Sequence, residues 1–369
     1  MTANQTCEHR HSRLTPANPW RRNLEPIKPP RLAENSTVAI VSPTWGGPHA
    51  FPHVYELGIR NLKKMGLRIK EFPTAKADPD FLYENPKARA DDINRAFSDP
   101  AVDAIISTTG GDVDSIRILP YLDSKAIRSN PKILLGYSDT TSILSYCNQL
   151  GLVTFHGPSV MAGFSQMENL PPSFAAHVNI LLFHRTDVYE YHPYETYSEG
   201  YPEWSDVENV GKVKTPHPSS GWTWLQGKSV ARGRLFGGNI EVLECLRGTS
   251  YWPSLEFWDG KILFLETSEE KPHRSYVRRW LRTFGILGGL NRIAGLLVGR
   301  AMKYTDEEKE KLDQNIVAVV SGEFEKPNLP IVTNMDFGHT DPQLIIPLGV
   351  NAEIDCEAKR FRLIEPALR

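Results

Sequence analysis

The chain has 369 residues, 40% hydrophobic and 23% charged, with a formal net charge of −2. This is enough for two domains of ordinary size and reads as a soluble globular composition. A near-neutral balance without a long basic run argues against nucleic acid or a membrane surface as partner and leaves a small molecule.

Cys7, Cys147, Cys245 and Cys356 are scattered and form no C-x-x-C pair. That spacing predicts neither a zinc site nor a disulfide framework and suits a reducing compartment. No run reaches the roughly 18 apolar residues of a membrane span, and the first thirty residues are polar, with Arg10, Arg13, Arg21 and Arg22. We therefore expect a cytoplasmic protein. Residues 1–33, rich in proline and without periodicity, read as a flexible extension.

In chain order, Thr37-Val38-Ala39-Ile40-Val41 is a β-branched run that predicts the first strand of a parallel sheet. Val54, Leu57, Gly58, Leu62 and Met65 recur at helical spacing, closed by Gly66. Leu67 to Phe72 predicts a second strand, Ala88 to Phe97 a helix, and Val102 to Ile106 a third strand. This alternation predicts a doubly wound α/β domain over residues 34–187.

The third strand runs into Thr109-Gly110-Gly111-Asp112. Ligands collect at the carboxyl ends of strands in such sheets, and paired glycines admit close backbone approach. The same pair also reads as a plain turn, since no complete nucleotide fingerprint is present.

The next strand, Ile133-Leu134-Leu135, delivers Gly136-Tyr137-Ser138-Asp139-Thr140 ahead of a helix from Thr140 to Leu150. A serine on a tight strand-to-helix turn projects into a cleft beside free backbone amides, the setting of a nucleophile. Ser, Asp and Thr are equally good helix caps, and Thr140 stands where G-x-S-x-G has its second glycine. A nucleophile needs a base and a carboxylate to orient it. Candidate bases are His339, in the loop after Ile331-Val332, and His156, which also ends a strand. The candidate carboxylate is Glu266, at the end of the buried run Phe264-Leu265, where an unpaired charge is costly.

Residues 188–230 carry Tyr189, Tyr191, Tyr194, Tyr197, Tyr201, Trp204, Trp222 and Trp224 with little periodicity. They predict an ordered crossover or lid whose aromatics mostly pin it to the surface, with one or two free to stack on a flat ligand. Residues 231–369 predict a second domain of short strands with two helices. One helix has Val277, Trp280, Leu281 and Phe284 on a face; the other has Leu312, Ile316 and Val319, opened by a Thr305-x-x-Glu308 capping box.

Taken together, Gly136-Tyr137-Ser138-Asp139-Thr140-Thr141, Gly233-x-Leu235-x-Gly237-Gly238-Asn239, Phe264-Leu265-Glu266 and Asp336-Phe337-Gly338-His339-Thr340 resemble the LD-carboxypeptidase family of serine peptidases. The four motifs stand in the family's order from about Ser36 to about Leu363. The resemblance implies a flavodoxin-like doubly wound N-terminal domain with a β-rich, barrel-like C-terminal domain. It implies a triad of Ser138 as nucleophile, His339 as base and Glu266 as its orienting residue. The oxyanion hole is implied at Asp139 and at Gly110 or Gly111, without metal or cofactor, in a homodimer.

Thr109-Gly110-Gly111-Asp112 and Phe337-Gly338-His339-Thr340-Asp341-Pro342 look more like the microcin-immunity branch than the peptidoglycan-recycling branch. The expected substrate is then a small peptide or a peptidyl- or aminoacyl-nucleotide, with Trp204 as stacking residue and His156 near the substrate. The alternatives are a recycling LD-carboxypeptidase and a nucleotide-binding protein without chemistry.

Overall fold

Four short, mostly aliphatic runs and one charged edge strand build the first sheet of this computed structural model, which describes residues 24–369. They are β1 (Thr37–Val41), β2 (Arg68–Glu71), β3 (Ala104–Ser107), β4 (Ile133–Gly136) and β5 (Thr154–His156), all parallel, in the order 2-1-3-4-5. That is the flavodoxin-like doubly wound order, as expected. Strands β3 and β4 are buried throughout, whereas β2 shows its charged residues at the edge, where they discourage further pairing.

The crossover supplies β6 (Tyr189–Tyr191), a short pair β7 (Thr196–Tyr197) and β8 (His217–Pro218), and β9 (Thr223–Gln226). The chain continues through β10 (Val230–Asn239), β11 (Ile262–Glu266), β12 (Gly295–Gly299), β13 (Ile331–Met335), β14 (Ile346–Leu348), β15 (Asn351–Asp355) and β16 (Arg360–Leu363). The second sheet has the order 6-16-15-10-11-12-13-9, with β10 to β13 parallel. Its ends, β6 and β9, do not pair with each other, so the β-rich half is an open sheet rather than a barrel. Both of those edge strands come from the crossover, and Tyr191 stacks on Phe361 with ring centroids 4.8 Å apart.

One expected strand of the second domain joins the first. Ile346 pairs with His156 and Leu348 with Thr154, so β14 adds an antiparallel sixth strand beside β5. The chain that carries the candidate histidine is thereby tied to both sheets. The carboxyl ends of β3 and β4 and those of β10 to β13 meet across one cleft: the Asn239 amide, at the end of β10, donates to Thr141 Oγ1 at the start of the helix Thr141–Gln149.

The helices Arg274–Ile286 and Asp306–Val317 form as expected; the first buries Val277, Trp280, Leu281 and Phe284, and Thr305 and Glu308 cap the second reciprocally. The described part of the stretch expected as a flexible extension over 1–33 is hydrogen-bonded to and packed on the first domain. The Val153 amide donates to Ile27 O at 3.0 Å, Leu32 donates to Leu182 O at 2.9 Å, and the Leu32 side chain is buried. Residues 1–23 of that expectation lie outside the described residues. No described helix is long and apolar enough to cross a membrane.

Candidate active site

The turn after β4 forces Ser138 into the left-handed region, φ +55°. For a residue with a Cβ this costs of order 1–2 kcal/mol and persists only where the surroundings impose it. Here the turn hands the chain from a buried strand to a buried helix within a few residues, and the hydroxyl is left at the mouth of the cleft.

Ser138 Oγ lies 3.1 Å from His339 Nε2, and His339 Nδ1 lies 2.7 Å from Glu266 Oε2. The three residues belong to β4's turn, the loop after β13 and the last position of β11. Glu266 is buried, and its other oxygen, Oε1, has no partner among the described residues. Gly338 makes this contact possible: its φ is +100°, and a Cβ there would stand 2.8 Å from Glu266 Oε2. Burial alone would lower the His339 pKa, but the charges of Glu266 and Glu269 carry it well above 6.5.

The Gly110-Gly111 strap lies over the elbow. A Cβ on Gly110 would come within 2.9 Å of Ser138 Oγ, so only glycine lets the backbone pass there. The amides of Gly110 and Gly111 meet no acceptor among the described residues and are free to hold an oxyanion. The Asp139 carboxylate is turned inward, accepting from the amide and hydroxyl of Ser115, and burial raises its pKa to about 6. It fastens the strap's exit to the elbow.

His156 departs from expectation. It is fully buried on β5, with its ring 6.3 Å from Tyr137 and 5.4 Å from Phe264, and neither ring nitrogen has a partner among the described residues. Burial lowers its pKa to about 4, so it is a neutral packing residue beneath the elbow rather than a base or a substrate contact. Trp204 is half-buried and stacks on Tyr201 at 4.3 Å and 11°, with Phe51 edge-on at 5.8 Å and Trp45 6.0 Å beyond. One face of its indole is therefore already covered.

Two further charged residues complete the site. Arg300, just past β12, forms a fully buried pair with Asp336 at 2.7 Å, and Asp336 also accepts from Trp222 Nε1 and from the Tyr194 amide. This pair ties the crossover to the loop that presents His339. Arg300 follows the apolar run of β12 as Glu266 ends that of β11, and this strand-end charge was the available sequence signal. Removing one partner strands the other charge, so Arg300→Met is expected to lower stability by about 3–5 kcal/mol, read from the urea midpoint. Glu269, the second residue, is 3.0 Å from His339 Nε2. Nothing in the sequence separates it from a surface glutamate. Among the described residues, no three His, Cys, Asp or Glu side chains are grouped to hold a metal ion.

Residues 38–157 match the model of the LD-carboxypeptidase N-terminal domain, and residues 232–354 that of its C-terminal domain. The chain is 28% identical to a putative carboxypeptidase of Vibrio cholerae over 90% of this chain and 96% of the relative. It is 27% identical to the microcin C7 self-immunity protein MccF of Escherichia coli, over 93% and 97%. A solved MccF-like protein of Streptococcus pneumoniae in complex with AMP is similar with a TM-score of 0.77 and 32% identity, covering 89% of this chain and 98% of that one.

Proposed function

We propose, from the premise that this chain belongs to the LD-carboxypeptidase family of serine peptidases and is a hydrolase, that Ser138, His339 and Glu266 cleave an amide bond in a small peptide or aminoacyl-nucleotide. The observation that carries this is the unbroken line of contacts from Ser138 Oγ through both nitrogens of His339 to Glu266.

On this reading His339 accepts the Ser138 proton at Nε2 as the oxygen attacks the carbonyl. Glu266 holds Nδ1–H and offsets the imidazolium charge. The oxyanion is received by backbone amides at Gly110, Gly111 and Asp139, which need no reorganisation as charge develops. His339 then protonates the leaving nitrogen, and water, deprotonated by the same ring, releases the acyl group.

The aminoacyl-nucleotide reading is favoured over a recycling carboxypeptidase by the aromatic group of Trp45, Phe51, Tyr201 and Trp204 beside the cleft, and by the likeness to an AMP-bound relative. It takes the enzyme to be cytoplasmic, as the cysteine usage and composition suggest, and a homodimer, as the family resemblance implies. A fluorophosphonate probe is expected to label Ser138, and turnover of an aminoacyl-adenylate analogue to exceed that of a muropeptide tetrapeptide. Absence of labelling overturns the mechanism, and a preference for the tetrapeptide overturns the substrate.

A further inference from the structure

His339 Nε2 has two oxygens within reach where the reaction uses one: Ser138 Oγ at 3.1 Å and Glu269 Oε2 at 3.0 Å. A single N–H is directed at one acceptor at a time, and the carboxylate is the stronger one. Held between Glu266 and Glu269, the imidazole is favoured in its doubly protonated form, and a base already carrying its proton takes none from Ser138. The two carboxylates differ in freedom. Glu266 is fixed at a buried strand end, while the Glu269 side chain is 57% exposed on the turn between β11 and the helix Arg274–Ile286.

The groups facing this pair indicate what draws Glu269 away. From β11 comes Glu266, from the helix Ile240–Leu246 Glu241, from the His339 loop Asp341, from the elbow Tyr137, from the crossover Tyr201, and from β5 the neutral His156. Among the described residues Lys303 is a nearby cation; its ammonium donates to the backbone oxygen of Glu269 at 2.8 Å, and its charge also favours the ionised Glu269 carboxylate. An anionic substrate group placed here would meet Glu266 and Glu269 at short range. A cationic one would meet an exposed carboxylate beside the Tyr201 ring, a setting suited to ammonium or guanidinium.

We propose that Glu269 is a specificity-determining residue of the Ser138 site: it rests on His339 Nε2 in the free enzyme and turns to receive a positively charged group of the substrate, whereupon the imidazole, no longer held between two carboxylates, gives up its Nε2 proton to solvent and can act as base. This rests on the Ser138–His339–Glu266 reading above. Its pH consequence has a definite sign. The paired carboxylates raise the His339 pKa, so a rate that needs the neutral ring climbs only above the ordinary histidine range, and loss of the Glu269 charge moves that limb to lower pH.

The test compares the full chain with its Glu269→Gln variant. Calorimetry measures binding of three non-hydrolysable sulfamoyl adenosines bearing lysine, norleucine or glutamate, and NMR follows the titration of His339. The wild type is expected to bind the lysyl probe about tenfold or more tighter than the glutamyl probe. In the variant the ratio falls to about threefold or less, and His339 titrates about one pH unit lower or more. A purely structural role would weaken all three probes alike and leave their ratio unchanged, which overturns the proposal. So does equal binding of lysyl and glutamyl probes by the wild type, no binding of any probe, or an unmoved His339 titration. Fluorophosphonate labelling separates the two readings: with Ser138 labelled, such a result removes the role of Glu269 alone, and without labelling the Ser138 mechanism falls first.

Discussion

Replacing Ser138 with alanine is expected to lower kcat by roughly 10⁴–10⁶-fold, the loss that follows removal of a nucleophile acting in concert with its base. The reason is chemical rather than structural. Alanine keeps the Cβ and so keeps the φ of +55° at the same cost, while the strand and helix on either side stay buried. Unfolding in urea is therefore expected to be nearly unchanged, and binding of a non-hydrolysable substrate analogue to persist. What is lost is the oxygen 3.1 Å from His339 Nε2. A variant that folds, binds and still turns over substrate at near the wild-type rate would remove Ser138 from the mechanism.

Glu266→Gln is the second large effect, with an expected loss in kcat of about 10⁴-fold, or about 5.5 kcal/mol in the activation barrier. The side chain is isosteric and sits at a buried strand end, so packing is preserved. The carboxylate accepts from Nδ1–H at 2.7 Å and leaves Nε2 to face the serine. A carboxamide that presents its NH₂ to Nδ1 reverses the tautomer and puts the proton on Nε2, where Glu269 holds it further from use. The charge that compensates the imidazolium in the transition state also disappears. Measured kcat with unchanged thermal unfolding checks this; a loss below about tenfold would show that Glu266 neither orients nor stabilises the ring.

The strand-turn-helix around Ser138 was legible because each part of it is local. Leu134 and Leu135 mark a buried strand, Thr140 to Leu150 a helix, and the tight connection between them leaves little choice of geometry. The capping box at Thr305 and the apolar face of Arg274–Ile286 were legible for the same reason. The two ring contacts of His339 were not legible in this way. They join residues 73 and 201 positions apart; placement near strand ends offered His339, His156 and Glu266 as candidates, and the resemblance of whole motifs chose among them.

The sequence by itself determined the main strands and helices of both halves and the tight turn at Ser138, though not the strands of the crossover, because periodicity, glycine placement and capping act over a few residues. Tertiary structure decided the rest. Strand β14 reads as one more short apolar run, yet it pairs with β5 because the chain after His339 returns to the first sheet. His156 ends a strand just as Glu266 does, but the packing of Tyr137 and Phe264 encloses it and leaves it neutral. Glu269 has the composition and spacing of a solvated turn, and only the meeting of two sheets at their carboxyl ends places it on the nitrogen beside Ser138. In each case the deciding interaction is a pairing or a burial between distant parts of the chain, which no local pattern encodes.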